Sequence, residues 1–113
     1  MASTITSLNR NIDFRRTYGR GKAYTSPALV TYVARNRAGI CRVGITTSKK
    51  IGNAVERNRS RRVIRAAFRT FAPQIEGGWD IVFVARSKTK YLKSTQLETI
   101  IFNHLKQAGA IHQ

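Results

Sequence analysis

The side chains best equipped for chemistry in this sequence are cations. Between Gly44 and Phe71 the chain reads GITTSKKIGNAVERNRSRRVIRAAFRTF, which sets Lys49 and Lys50 ahead of a glycine and then Arg57, Arg59, Arg61, Arg62, Arg65 and Arg69 along one helical segment. At about 100° per residue, Ser60, Val63, Ile64, Ala67, Phe68 and Phe71 fall on one stripe fit for a core. The arginines, with Asn58, fan over the other side, and Arg59 lies at its far edge. A solvated face is the ordinary explanation of a charged helix, but such faces mix signs, and here only Glu56 is acidic. Like charges this dense repel one another unless a polyanion neutralises them, so the face reads as a binding surface. Asn53 is placed to cap the helix, and a glycine turn feeding free amides beside Lys49 and Lys50 is expected to seat a phosphate.

Groups that break bonds are harder to find. A two-metal nuclease needs clustered carboxylates, whereas Asp13, Glu56, Glu76, Asp80 and Glu98 are scattered along the chain. Of the two histidines, His104 sits on a helix flank and reads as structural, and His112 lies next to the C-terminal end, so an acid–base pair is not expected. Cys41 follows a turn with no helix N-terminus after it to lower its pKa, and it reads as a buried structural thiol. The expectation is a chain that grips nucleic acid while another component cuts.

Composition bounds the same answer. The 113 residues suit one domain; 21 Lys and Arg against 5 Asp and Glu give a formal charge of +16, with 42% hydrophobic residues. That is too apolar for a disordered basic tail and too basic for an ordinary soluble enzyme. No run of about 18 apolar residues and no signal-peptide core occurs, so neither a membrane nor export is expected. A lone cysteine fits a reducing cytoplasm.

The elements that position these residues follow from local pattern. Residues 1–8 read as a flexible N-terminus in which Leu8 could anchor, 9–107 as a single RNA-binding α+β domain, and 108–113 as a flexible tail. Asn11 is expected to cap a short first helix that Gly19 stops, with Phe14 and Tyr18 four apart on one face among Arg15, Arg16, Arg20 and Lys22. These aromatics suit a core or a groove where unstacked bases rest beside positive charge. Residues 28–35 alternate, placing Val30 and Tyr32 opposite Leu29, Thr31 and Val33; residues 36–39 read as a hairpin turn, so that 40–47 returns antiparallel. WDIVFVAR, residues 79–86, reads as an interior strand covered on both faces. After the basic loop 87–91, Ser94 is expected to cap a last helix whose inward stripe is Leu97, Ile100, Ile101, His104 and Leu105. The sum is a helix–strands–helix–strand–helix sandwich on a three- to four-stranded sheet with a crossover helix.

The run Ser48-Lys49-Lys50-Ile51-Gly52-Asn53-Ala54-Val55, followed by Arg57-Asn58-Arg59, Arg61-Arg62 and Ile64-Arg65, resembles the protein subunit of bacterial ribonuclease P. Asp13-Phe14 in the first helix and the strand Asp80–Arg86 agree with that family, over roughly residues 8 to 107. Arg61 stands where lysine is common, Tyr18 where phenylalanine is frequent, and Ser7 where a basic residue is often found. The resemblance implies a fold like the second domain of ribosomal protein S5, with a left-handed crossover. It also implies a non-catalytic role for the chain beside a catalytic RNA that removes the 5′ leader of precursor tRNA with Mg2+ at the RNA active site. On that basis Lys49, Lys50, Asn53, Arg57, Asn58, Arg59, Arg61, Arg62, Arg65 and Arg69 face the RNA subunit. Phe14, Arg16, Tyr18 and Tyr32 hold the leader, and no cofactor or obligate protein partner is implied for the protein itself. A ribosomal or RNA-chaperone protein shares the charge and the layout but leaves the central run unexplained.

Overall fold

The computed structural model describes residues 5–8 and 10–111. In chain order these form β1 (Ile5–Ser7), α1 (Asn11–Arg20), β2 (Lys22–Thr25), β3 (Leu29–Arg35), β4 (Cys41–Thr46), α2 (Ala54–Arg69), β5 (Trp79–Ala85) and α3 (Ser94–Ala108), with single 3-10 turns at Lys49–Ile51, Ala72–Gln74 and Thr89–Tyr91. The sheet has five strands in the order β1-β4-β5-β3-β2. The α+β plan is the expected one, but the strand count exceeds the expected three to four. The two additional strands are short and polar, which is why alternation did not reveal them. β2 is an edge with only Tyr24 turned partly inward, as exposed edges tend to be. β1 pairs in parallel with Cys41–Val43, and Leu8, whose amide donates to the Val43 carbonyl at 2.9 Å, is buried behind it. Residues 5–7 therefore pair as a strand where a flexible N-terminus was expected, Leu8 anchors as expected, and residues 1–4 lie outside the described residues.

The expected hairpin between β3 and β4 does not form. β5 lies between them, antiparallel to β3 and parallel to β4, with Val33 opposite Ile81 on one side and Val43 opposite Ile81 on the other. The reason is burial. β5 is apolar on both faces and takes the centre, while β4 alternates Cys41, Val43 and Ile45 with Arg42, Gly44 and Thr46 and suits a position nearer the edge. The parallel β4–α2–β5 unit is the expected crossover.

One sheet face carries Cys41, Ile81 and Phe83 against the inner faces of α2 and α3, where Ile64, Ala67, Phe68, Leu97, Ile101 and Leu105 complete the core. Ala110 and Ile111 are buried in the same cluster, so the chain through residue 111 is packed where a flexible tail was expected. The other expected end residues, 112 and 113, lie outside the described residues. α3 begins one residue earlier than expected, at Ser94 itself: Lys93 is the N-cap and its amide donates to the Gln96 side chain at 2.8 Å. Among the described residues no helix is long and apolar enough to cross a membrane.

α1 crosses the opposite sheet face. Gly44 points to that face, and its bare α-carbon lets the Phe14 ring lie against the strand. Arg10 rather than Asn11 is the N-cap, and the helix continues through Gly19 to end at Gly21, whose amide donates to the Thr17 carbonyl at 2.8 Å. A side chain at Gly21 would collide with the Thr17 and Val33 carbonyls, so glycine is required by the close approach of helix and strand.

Candidate nucleic-acid interface

α2 is fixed at its start by a reciprocal cap. The Glu56 amide donates to Asn53 Oδ1 at 2.9 Å and the Asn53 amide donates to Glu56 Oε1 at 3.0 Å. Lys90 Nζ lies 2.8 Å from Glu56 Oε2 and donates to the Ile51 carbonyl at 2.7 Å. The helix start thus already holds the chain's own carboxylate, and the expected phosphate seat at these amides is occupied by Glu56. The Lys90 hydrogen bond, then the Asn53 amide, hold that carboxylate below its usual range, and the Lys90 ammonium is raised in return. Lys49 and Lys50 remain exposed on the turn just before Gly52, whose φ of 141° disfavours any other residue. Lys90 was not singled out from sequence; the basic loop 87–91 was its only signal.

Beyond the cap, the helix divides as its phase requires. Ser60, Ile64, Ala67 and Phe68 are buried, and Asn58, Arg59, Arg62, Arg65 and Arg69 are exposed. Arg57 Nη1 donates to the Gly52 carbonyl at 3.1 Å, Arg59 Nε to the Lys90 carbonyl at 2.8 Å, and Arg61 Nη1 to Asn58 Oδ1 at 3.2 Å. Those acceptors orient the guanidinium groups without neutralising them, since none is a carboxylate. Arg62, Arg65 and Arg69 have no hydrogen bond or ion pair among the described residues. The face is an array of positive charge with no internal counter-ion among the described residues.

A groove runs along one flank of α1, lined by Asn11, Phe14, Arg15, Tyr18, Ile45, Thr46, Thr47 and Arg61. The Tyr18 and Tyr32 rings meet edge to face at 4.9 Å, Phe14 and Tyr18 lie 6.5 Å apart, and the Tyr18 hydroxyl is 2.8 Å from Thr46 Oγ1. Thr47 Oγ1 is buried there without a hydrogen-bond partner. Arg61 lines this groove, the neighbouring cleft with Phe14, Gly44, Arg65 and Phe68, and the outer surface with Asn58, Arg62 and Arg65. The aromatic groove and the arginine face are therefore one continuous surface joined at Arg61. This junction exists because β1 stops pairing at Val43 and leaves the end of β4 open between α1 and α2.

Arg16 is separated from the three aromatics. It projects on the other flank of α1, into a cleft with Thr17, Arg20, Arg37, Arg42 and Asp80. Asp80 is occupied there: Arg42 Nε and Nη2 donate to it at 2.8 and 2.9 Å and Asn36 Nδ2 at 2.8 Å. The Asp80 hydrogen bond raises the Arg42 pKa further. His104 is buried with Nδ1 2.8 Å from Thr31 Oγ1, and Cys41 is fully buried. Among the described residues no three of His, Cys, Asp and Glu gather closely enough to hold a metal ion.

Known proteins share both the sequence and the fold. The family model for ribonuclease P matches residues 3–109. The ribonuclease P protein component of Clostridium novyi is 43% identical over 104 residues, covering 90% of this chain and 92% of that protein. That of Dehalococcoides mccartyi is 36% identical over 101 residues, covering 89% and 82%. Among solved structures, the Staphylococcus aureus RNase P protein superposes with a TM-score of 0.82 at 33% identity, covering 94% of this chain and 97% of that one. The Thermotoga maritima RNase P protein gives 0.77 at 28%, covering 89% and 96%.

Proposed function

This chain belongs to the ribonuclease P protein family and is the protein subunit of that endonuclease; from that premise we propose that α2 docks on the catalytic RNA while the α1 groove carries the 5′ leader of precursor tRNA. The observation that carries this is the junction at Arg61, where an uncompensated arginine face and a ring-lined groove become one surface. A catalytic RNA and a substrate leader are both polyanions, and a subunit of charge +16 between them screens their repulsion. On the RNA side the contacts are Lys49, Lys50, Asn53, Arg57, Asn58, Arg59, Arg61, Arg62, Arg65 and Arg69. On the leader side Tyr18 offers a partly exposed ring, Tyr32 braces it, and Phe14 forms the floor against Gly44. Leaders vary in sequence, and ring stacking with phosphate contact tolerates such variation better than reading of base edges.

Scission is assigned to the RNA, with Mg2+ held there, and the protein alone is expected to be inactive in its cytoplasmic setting. The described carboxylates do not form a metal site, and Glu56 and Asp80 are already paired. The test is reconstitution with the cognate RNA at near-physiological magnesium. Leader cleavage should require the RNA and be strongly enhanced by the chain; cleavage by the protein alone would overturn the reading. In the same system Phe14→Ala with Tyr32→Ala should weaken binding of leader-bearing precursor and leave mature tRNA affinity intact. Equal losses for both would remove the groove from the leader path.

A further inference from the structure

α1 acts as a ridge that divides its face of the sheet in two. On the side of the carboxyl ends of β4 and β5 lies the aromatic groove, into which Arg15 projects. On the side of their amino ends lies a second cleft of about 370 Å³, into which Arg16 projects. Five arginines line this cleft, Arg16, Arg20, Arg35, Arg37 and Arg42, against the single carboxylate of Asp80. That carboxylate is spent on Arg42 and Asn36, and Arg35 is stacked over the Trp79 ring at 4.7 Å. Asp13 acts on Arg42 from the same flank of α1. Arg16, Arg20 and Arg37 are exposed and have no hydrogen bond or ion pair among the described residues. Three uncompensated guanidinium groups around one cleft favour a phosphate-bearing occupant, because each is a rigid donor fork suited to phosphate oxygens.

We propose that the cleft behind α1 binds the backbone of the upstream nucleotides of a long 5′ leader, after the strand has left the aromatic groove and crossed the outer face of α1. Arg15 and Arg16 are adjacent and about 100° apart on that helix, so they offer phosphate contacts to one strand on either side of the ridge. The occupant is single-stranded and is held through phosphates, since no aromatic ring lines the cleft for stacking. The inference rests on the groove being the leader path.

The test uses holoenzyme and precursors that share one tRNA but carry leaders of graded length. The triple variant Arg16→Gln, Arg20→Gln, Arg37→Gln should bind short-leader precursor and mature tRNA as the parent does. With long leaders it should lose on the order of tenfold in affinity, and the slope of log affinity against log salt should fall by about 2, that is three contacts at about 0.7 each. The leader length at which this loss begins must exceed the length at which Phe14→Ala with Tyr32→Ala first weakens binding. No loss at any length, or an equal loss with short leaders, overturns the proposal. A loss in binding of the RNA subunit itself would assign the cleft to that subunit and also overturn it. If the aromatic variant behaves as expected while the arginine variant is silent, only the cleft fails; if the aromatic variant shows no dependence on the leader, the groove fails.

Discussion

Phe14 packs on Gly44 so closely that a β-carbon on the glycine would come to 2.5 Å from the ring. The helix that carries the groove aromatics therefore sits at a depth set by the absence of one side chain on β4. Gly44→Ala must displace the ring or lift α1, at a cost of about 1–3 kcal/mol in stability. Leader-bearing precursor should bind more weakly to that variant while mature tRNA binds as before. An unchanged leader affinity would show that the position of Phe14 does not shape the groove.

Arg61 and Arg62 are neighbours with different expected roles. Arg61 lines the groove as well as the outer face of α2, whereas Arg62 lines the outer face alone. Arg61→Ala should weaken both RNA-subunit binding and leader discrimination; Arg62→Ala should weaken only the first. Each should lower the salt dependence of RNA-subunit binding by about one contact. Identical behaviour of the two variants would contradict the junction.

Asp80 ties the start of β5 to Arg42 of β4 and to Asn36 after β3. Asp80→Ala leaves a partly buried guanidinium without its partner and should cost about 2–3 kcal/mol, read as a shift in denaturation midpoint. A change below about 0.5 kcal/mol would mean that solvent replaces the carboxylate without loss.

Burial holds the His104 imidazole below its usual value of 6.5. The unfolded chain therefore takes the proton more readily than the folded one, and stability is full above about pH 6.5 and declines as the pH falls below it. The fall in melting temperature between about pH 7.5 and about pH 5.5 should shrink in His104→Gln. An equal fall in both proteins would place the acid sensitivity elsewhere.

Cys41 lies at 0% exposure, and burial, with a smaller effect of Asp80, pushes its thiol up to about 12. The native protein should resist thiol reagents at neutral pH and react stoichiometrically once unfolded. Fast labelling of the native chain would show that the sheet around the start of β4 opens readily.

What was legible in the sequence was local. The stripe of Ser60, Ile64, Ala67 and Phe68, the opposed arginines, the Asn53 cap and the interior character of residues 79–85 depend on a period or a short-range bond, and each stands in the structure as read. The run around Lys49 to Arg65 was specific enough to mark the family. The tertiary structure alone decided which elements became neighbours. Pairing β5 between β3 and β4 cancels the apparent hairpin because its two apolar faces need cover on both sides. The strand Ile5–Ser7 carries no signal of its own and forms only because β4 offers it an edge. Whether Arg15 and Arg16 serve one groove or two was equally beyond reach of spacing, since the answer depends on where α1 crosses the sheet. That crossing is set by Gly44 and Gly21, two positions whose importance lies in what a neighbouring segment, distant in sequence, brings against them.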